Sequence, residues 1–416
     1  MTGLAEQASP LAADPIATAT PAMSSRAAFF LLASLIASFV ASSVAPTPVY
    51  PIYQARWGLS ALDVTVMFAV YSLSILGSLL VTGRLSDHLG RRSVLIVATL
   101  LQAITMLMFA TTDGISGILL ARCVQGLGTG AALATLGAAL VDVDKVRGPA
   151  VSALTPMLGT ALGGLLAGLV VHFLPAPTAS VFLLLALIFV AQAIGVMRMP
   201  ETISPRVGAM GSLKPQLAAP RQLRARMLLA APVVIAVWTL IGFYASLGPA
   251  LMHGVLGLNA SLAGGLLIFA LTGSSVVSAV ALQSRTPRFL VILGSSCLLI
   301  GMIGALLALA SHAVGGFVAG TIVAGLGIGA AFQGAVRNVM PFAQAHERAA
   351  VFAVILVLVY LSMGIPAVIA GFAVSRGADL LGTALTLGSG VLLLVAAALI
   401  GSAVRVGDRE HARVSI

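Results

Sequence analysis

The chain has 416 residues, of which 59% are hydrophobic and only 8% are Asp, Glu, Lys or Arg, and its formal net charge is +10. Soluble domains carry roughly 25% charged residues, so a soluble enzyme, a DNA-binding protein and a disordered chain are all excluded. A protein that crosses a membrane many times remains, and the 44 glycines agree with it, because Gly is commoner in transmembrane helices than in soluble ones.

Residues 1–26 mix Ala, Pro, Thr and Ser with Glu6 and Asp14. They lack the basic start and apolar core of a cleaved signal peptide and are predicted to be a disordered cytoplasmic tail. A bilayer core of roughly 30 Å needs ~20 mostly apolar residues per helix. On that rule six helices are predicted at about 27–48, 61–82, 93–112, 115–141, 149–173 and 178–198, forming a first bundle over 27–198. Pro46, Pro48 and Pro51 are expected to break the first helix and to help form an outer gate. A polar stretch, 199–226, holds Pro200, Pro205, Pro215 and Pro220 with Arg206, Lys214, Arg221, Arg224 and Arg226, and reads as a cytoplasmic linker. Six more helices follow at about 227–250, 260–283, 288–310, 313–339, 349–374 and 380–403 in a second bundle over 227–404. A cytoplasmic tail, 405–416, ends the chain.

Lys and Arg collect in cytoplasmic loops. With the N-terminus inside, only Arg56 and Arg376 of the 22 Lys and Arg fall outside, and Arg122 alone falls within a span. Both termini are therefore expected in the cytoplasm, in a cell inner membrane. The basic charge is a topology signal and implies no nucleic-acid partner. The two bundles are related: Val124-Gln125-Gly126-Leu127-Gly128-Thr129-Gly130-Ala131-Ala132 recurs 199 residues on as Val323-Ala324-Gly325-Leu326-Gly327-Ile328-Gly329-Ala330-Ala331. Parallel repeats that rock around a shared midplane site are one architecture of secondary transporters.

The second-to-third loop reads Gly83-Arg84-Leu85-Ser86-Asp87-His88-Leu89-Gly90-Arg91-Arg92. It resembles the loop signature of the major facilitator superfamily, departing at His88, where that family usually has Arg or Lys. The resemblance covers nearly the whole chain and implies an all-α membrane protein with twelve transmembrane helices in two six-helix pseudo-repeats. It also implies that Asp87 meets the start of the eleventh helix near Arg348 and pairs with Arg91, with Asp142 or Asp144 as a further acceptor. Gly83, Asp87, Gly90, Arg91, Arg92 and Asp142 would then latch the two halves, the alternative being that these charges only enforce topology. Gly83 and Gly90 suit a tight turn.

In the fourth helix, Arg122-Cys123-Val124-Gln125-Gly126 is similar to the family's motif there. A charge inside a span is costly and marks a functional site by default. Arg122 either faces the central cavity, moving protons or holding an anionic group, or snorkels to the outer interface. The fifth helix resembles the signature of the family's drug exporters, with Thr160 where that signature has Pro. Its Gly159, Gly163, Gly164 and Gly168 form a small-residue stripe suited to close packing, with the eighth helix, bearing Gly264, Gly265 and Gly273, as the expected partner.

No predicted helix carries a central Asp or Glu, the six His lie in tails, loops or helix ends, and Cys123 and Cys297 sit in apolar stretches. No catalytic residue, metal site or cofactor is expected. The remaining candidates for a substrate and proton pathway are Gln125, Gln102, Tyr71, Trp238, Tyr244, Gln333 and Tyr360, beside Arg122. A mostly apolar cavity with a few polar fixtures suits a small amphiphile, although each of these side chains can equally be helix-packing glue. The expected protein is a monomeric secondary transporter in a lipid bilayer. By resemblance it exports a neutral or weakly anionic drug or metabolite against protons, with an importer or facilitator for an organic acid, sugar or amino acid as the other reading.

Overall fold

The computed structural model describes residues 23–204, 208–213, 220–344 and 347–414, except the side chains of 260, 349 and 402–414. Among these residues twelve helices are long and apolar enough to cross a bilayer. They are α1 (Ser25–Val44), α2 (Ala61–Thr82), α3 (Arg91–Thr111), α4 (Ile115–Val143), α5 (Gly148–Phe173) and α6 (Pro177–Met197), then α7 (Arg221–Gly254), α8 (Ala260–Ala281), α9 (Pro287–Ala310), α10 (Val314–Val339), α11 (Arg348–Ser375) and α12 (Leu380–Val414). Every predicted span falls on one of them.

Two bounds differ most. α7 starts at Arg221 instead of 227, because Pro220 starts the helix and the polar turn holding Arg221, Arg224 and Arg226 is still made of good helix formers. α12 runs as helix to Val414, through the predicted tail. The predicted N-terminal tail lies largely outside the described residues, as do Arg206 and Lys214. The linker holds one short turn of helix at Ala209–Ser212.

The prolines after α1 do not end helical structure. Pro48 and Pro51 occupy the first turns of a 3-10 helix (Thr47–Val49) and of a short α-helix (Tyr50–Trp57), where a missing N–H costs nothing. The break is confined to Val44–Thr47.

The packing repeats with the sequence. α2 packs on α4, α3 on α4 and α6, and α1 on α5; in the second half α8 packs on α10, α9 on α10 and α12, and α7 on α11. The duplicated glycines explain one of these pairs. Cβ atoms built at Gly126 and Gly130 would stand 2.8 Å from Tyr71 O and 2.7 Å from Ile75 O of α2. Cβ atoms at the equivalent Gly325 and Gly329 would stand 2.2 Å from Leu271 O and 2.0 Å from Ser275 O of α8. Only Gly allows backbones this close, and close packing is what binds helices in lipid. Each half has its own buried core, and a third cluster of Phe68, Ala245, Met363 and Ala367, with Trp238 and Tyr360 against it, joins the two.

One face of the molecule carries the Arg84–Arg92 loop, Lys145, Arg147, Arg198 and Arg285; Arg56 and Arg376 lie on the other. The halves meet along α2–α11 and α5–α8. The contact is tight near the opposite face, where a Cβ at Gly371 would stand 2.1 Å from Thr65 Oγ1 and one at Gly265 would stand 2.5 Å from Gly164 O. Two turns nearer the basic face, a Cβ at Gly364 would reach Ser72 Cβ only at 3.7 Å and one at Gly273 would reach Ala161 Cβ at 3.9 Å. The seam is thus tightest near the opposite face and loosens to ordinary contact toward the basic face.

Candidate functional site

Arg122 is fully buried, 0% exposed, in α4. Its Nη1 donates to Ser43 O and to Gln125 Oε1, both at 2.8 Å, and its Nη2 donates to Tyr50 Oη. The guanidinium carbon lies 5.4 Å from the Tyr71 ring centre, 5.6 Å from Phe109 and 5.7 Å from Tyr50, within cation–π range. Gln125 turns its amide nitrogen to Ser42 O at 2.9 Å. No carboxylate pairs with Arg122: the ion pairs among the described residues are those of Arg91 with Asp87 and Asp142.

The backbone explains why those carbonyls need donors. In an α-helix the Ser42 carbonyl would accept from residue 46, which is Pro46 and has no N–H. In hydrocarbon an unanswered carbonyl costs several kcal/mol. Gln125 and Arg122 fill the broken end of α1, so the guanidinium neither snorkels outward nor pairs with an acid. The same repair recurs twice. Pro249 frees Ala245 O, which accepts from Thr47 Oγ1 at 2.9 Å, and Pro366 frees Ser362 O, which accepts from Thr239 Oγ1 at 3.1 Å. The Thr47–Ala245 bond links the two halves directly. At the position equivalent to Arg122, α10 has Thr321, bonded to Tyr244 Oη at 3.2 Å. α7 runs on through Pro249, and the carbonyl this frees is already filled by Thr47, so no guanidinium is needed.

The other pathway candidates divide. Gln102 donates to Ser42 Oγ at 2.8 Å and Gln333 to Ala279 O at 3.3 Å, so both tie helices within one half, as does Tyr244. Tyr71, Trp238 and Tyr360 lie where the halves meet. The Trp238 ring stands edge-on to Phe332 at 5.6 Å, and its Nε1 is buried without a partner. Sequence reasoning missed Tyr50, Ser42 and Ser43, which give Arg122 its surroundings; the signal was Pro46, whose missing N–H marks the carbonyl to be filled.

At the basic face, Arg91 Nη1 meets Asp87 Oδ1 at 2.6 Å and Arg91 Nε meets Asp142 Oδ2 at 3.3 Å. Asp144 caps its own turn instead, accepting from the N–H groups of Arg147 at 2.8 Å and Val146 at 2.9 Å, which hold its carboxyl below the usual carboxylate range. Arg92 donates to Met197 O, tying α3 to the end of α6. Gly90 has φ +92°, as the turn requires, whereas Gly83 is ordinary right-handed helix. Glu201, just past α6, caps α3: it accepts from Arg91 N at 2.8 Å and Arg92 N at 3.1 Å. A carboxylate there also meets the positive end of the helix dipole. A Cβ at Gly90 would stand 2.5 Å from Glu201 Oε2.

Two expected contacts are corrected. Among the described residues no hydrogen bond or ion pair joins Asp87 to the start of α11, the contact expected near Arg348; Arg348 Nε donates to Ala343 O at 3.3 Å. The glycine stripe of α5 serves two partners. Gly164 and Gly168 meet Gly265 of α8, but Cβ atoms at Gly159 and Gly163 would stand 2.7 Å from Ala37 O and 2.5 Å from Ala41 Cα of α1. Gly264 faces Pro249 of α7.

Residues 30–367 match the family model described as Major Facilitator Superfamily. The multidrug resistance protein MdtL of Klebsiella pneumoniae (strain 342) is 27% identical over 255 residues, 56% of this chain and 61% of that protein. The quinolone resistance protein NorA of Staphylococcus aureus is 27% identical over 97 residues, 23% of this chain and 25% of NorA. The chain thus matches about three fifths of the length of MdtL and a quarter of NorA. Among solved structures, the nucleoside transporter NupG superposes with a TM-score of 0.72 at 11% identity, covering 91% of this chain and 100% of that one. An inward-facing, unoccupied bacterial homologue of the human lysosomal transporter Spinster gives 0.67 at 14% identity, covering 91% and 95%. With a family match over most of its length, twelve membrane helices and the fold of solved transporters, this chain belongs to the Major Facilitator Superfamily of membrane transporters.

Proposed function

We propose that the protein exports a small neutral or weakly anionic amphiphile in exchange for protons, by alternating access between the two halves. The observation that carries the reading is the meeting place of the halves: Phe68, Trp238, Met363 and Tyr360 gather there, and no described span has an acidic side chain at its middle. Such a surface accepts an apolar body with a few polar atoms and offers no counter-charge to a strong cation. The export direction rests on the similarity to MdtL and NorA. In this reading the basic face is cytoplasmic, following the rule that Lys and Arg stay inside, and the protein acts as a monomer in the inner membrane. The purified protein in vesicles is expected to move such an amphiphile outward when a proton gradient is imposed. Equal flux with and without the gradient would make it a facilitator.

Within the same proposal, the Asp87–Arg91–Asp142 cluster latches the halves when the basic face closes. A contact that Asp87 makes across the halves only when the basic face closes contributes ~1 kcal/mol at most, so Asp87→Asn is expected to shift the two facings toward an open basic face by about fivefold. Cysteine probes on the two faces would read that ratio. Unchanged labelling on both faces would leave the cluster with a topological role only.

A further inference from the structure

The first half also has a cleft that takes no part in this transport reading. Between the basic-face ends of α2 and α3, floored by Gly128 and Ala131 of α4, lies a space of about 520 Å³. That is within the roughly 300–1,000 Å³ of ligand sites. Its rim residues Val97 and Leu127 are 67% and 46% exposed, so it opens sideways at the level of the lipid hydrocarbon. Leu85 and Leu89, from the loop that carries Asp87, close its end at the basic face.

A cation stands near that end, and none lines the rest of the cleft. Arg84, between the lining residues Thr82 and Leu85, is exposed. A slot that is apolar along its length and cationic at the membrane–water interface matches one chemistry, an acyl chain ending in an anionic headgroup. We propose that this cleft binds an anionic phospholipid, with one acyl chain between α2 and α3 and its phosphate against Arg84. Basic side chains at this depth attract anionic lipid headgroups. Because Leu85 and Leu89 form the wall, the bound chain also braces the loop that presents Asp87 and Arg91.

Gly77 provides a place for a plug: it lines the cleft and a Cβ there meets nothing within 4 Å, so Gly77→Leu starts a side chain into the cleft with no backbone clash. The test is lipid retention by the full-length protein in detergent micelles, offering phosphatidylglycerol or phosphatidylcholine and counting bound lipids by native mass spectrometry. The wild type is expected to retain phosphatidylglycerol in preference to phosphatidylcholine. Arg84→Gln should weaken that preference roughly fivefold, the worth of one Arg at an anionic headgroup, and Gly77→Leu should abolish it while thermal stability without lipid stays at the wild-type value. Equal retention of the two lipids by the wild type would overturn the proposal. So would undiminished phosphatidylglycerol binding by Gly77→Leu. Loss of transport in Gly77→Leu with lipid retention intact would make the cleft a substrate entry and overturn it as well.

Discussion

Arg122→Ala is expected to abolish transport and to lower the thermal stability of the purified protein markedly. The substitution strands Ser43 O, Gln125 Oε1 and Tyr50 Oη, which all lose their donor. Each buried polar group left unsatisfied costs about 1–3 kcal/mol, so the loss is about 3 kcal/mol or more. Arg122→Lys tests what the guanidinium supplies. If only positive charge mattered, Lys would restore function. A fork of N–H groups that fills three acceptors at once cannot be replaced by an ammonium on a flexible stem, so Lys is expected to recover neither stability nor transport. Thermal denaturation in detergent and vesicle flux read the two outcomes separately. Wild-type stability in Arg122→Ala with transport lost would assign the side chain to the transported species instead of to the end of α1.

Gly265→Leu has the second large effect. A Cβ at this position would stand 2.5 Å from Gly164 O and 3.0 Å from Gly168 Cα, so the clash is with backbone, which no rotamer can relieve. Overpacking usually costs 1–3 kcal/mol through shifted side chains; here the strain falls on the seam between the halves. Each half keeps its own core, so the protein is expected to fold and insert while the seam is forced apart near the opposite face. Transport should fall to background, and cysteines placed near Thr47 and Ala245 should become reactive from that side. Gly168→Ala offers a graded comparison, since its Cβ would stand 3.3 Å from Gly265 Cα and needs only a small shift. Full transport by Gly265→Leu would mean that the seam does not have to close.

The spans were legible because an apolar run of about twenty residues has few other uses in a chain this poor in charge. Ala61–Thr82 fell on its predicted bounds because Ser60 and Asp63 form a capping box at its start. The start of α7 was not legible, because a hydropathy criterion stops at Arg226 while helix propensity does not. The repeat was legible as Gly-rich identity, and the structure supplies its cause in the paired approaches of Gly126 and Gly325 to the neighbouring backbones. The burden on Arg122 was legible, but its partners were not: Tyr50 and Ser43 lie 72 and 79 residues away, and no local pattern links them. The glycine stripe on α5 announced close packing without naming the partner, because two helices, α1 and α8, share its length.

The repair of α1 also has a consequence for how the chain enters the bilayer. The carbonyl of Ser42 is answered by Gln125, made 83 residues later, and that of Ser43 by Arg122, made 79 residues later. Until α4 emerges from the ribosome, the first span holds backbone oxygens that hydrocarbon cannot accommodate. Assembly of the first bundle therefore has an order built into it, with the leading helix provisional and the fourth as its completion. Nascent chains halted before Gln125 are expected to leave that helix beside the insertion machinery, still reachable by water.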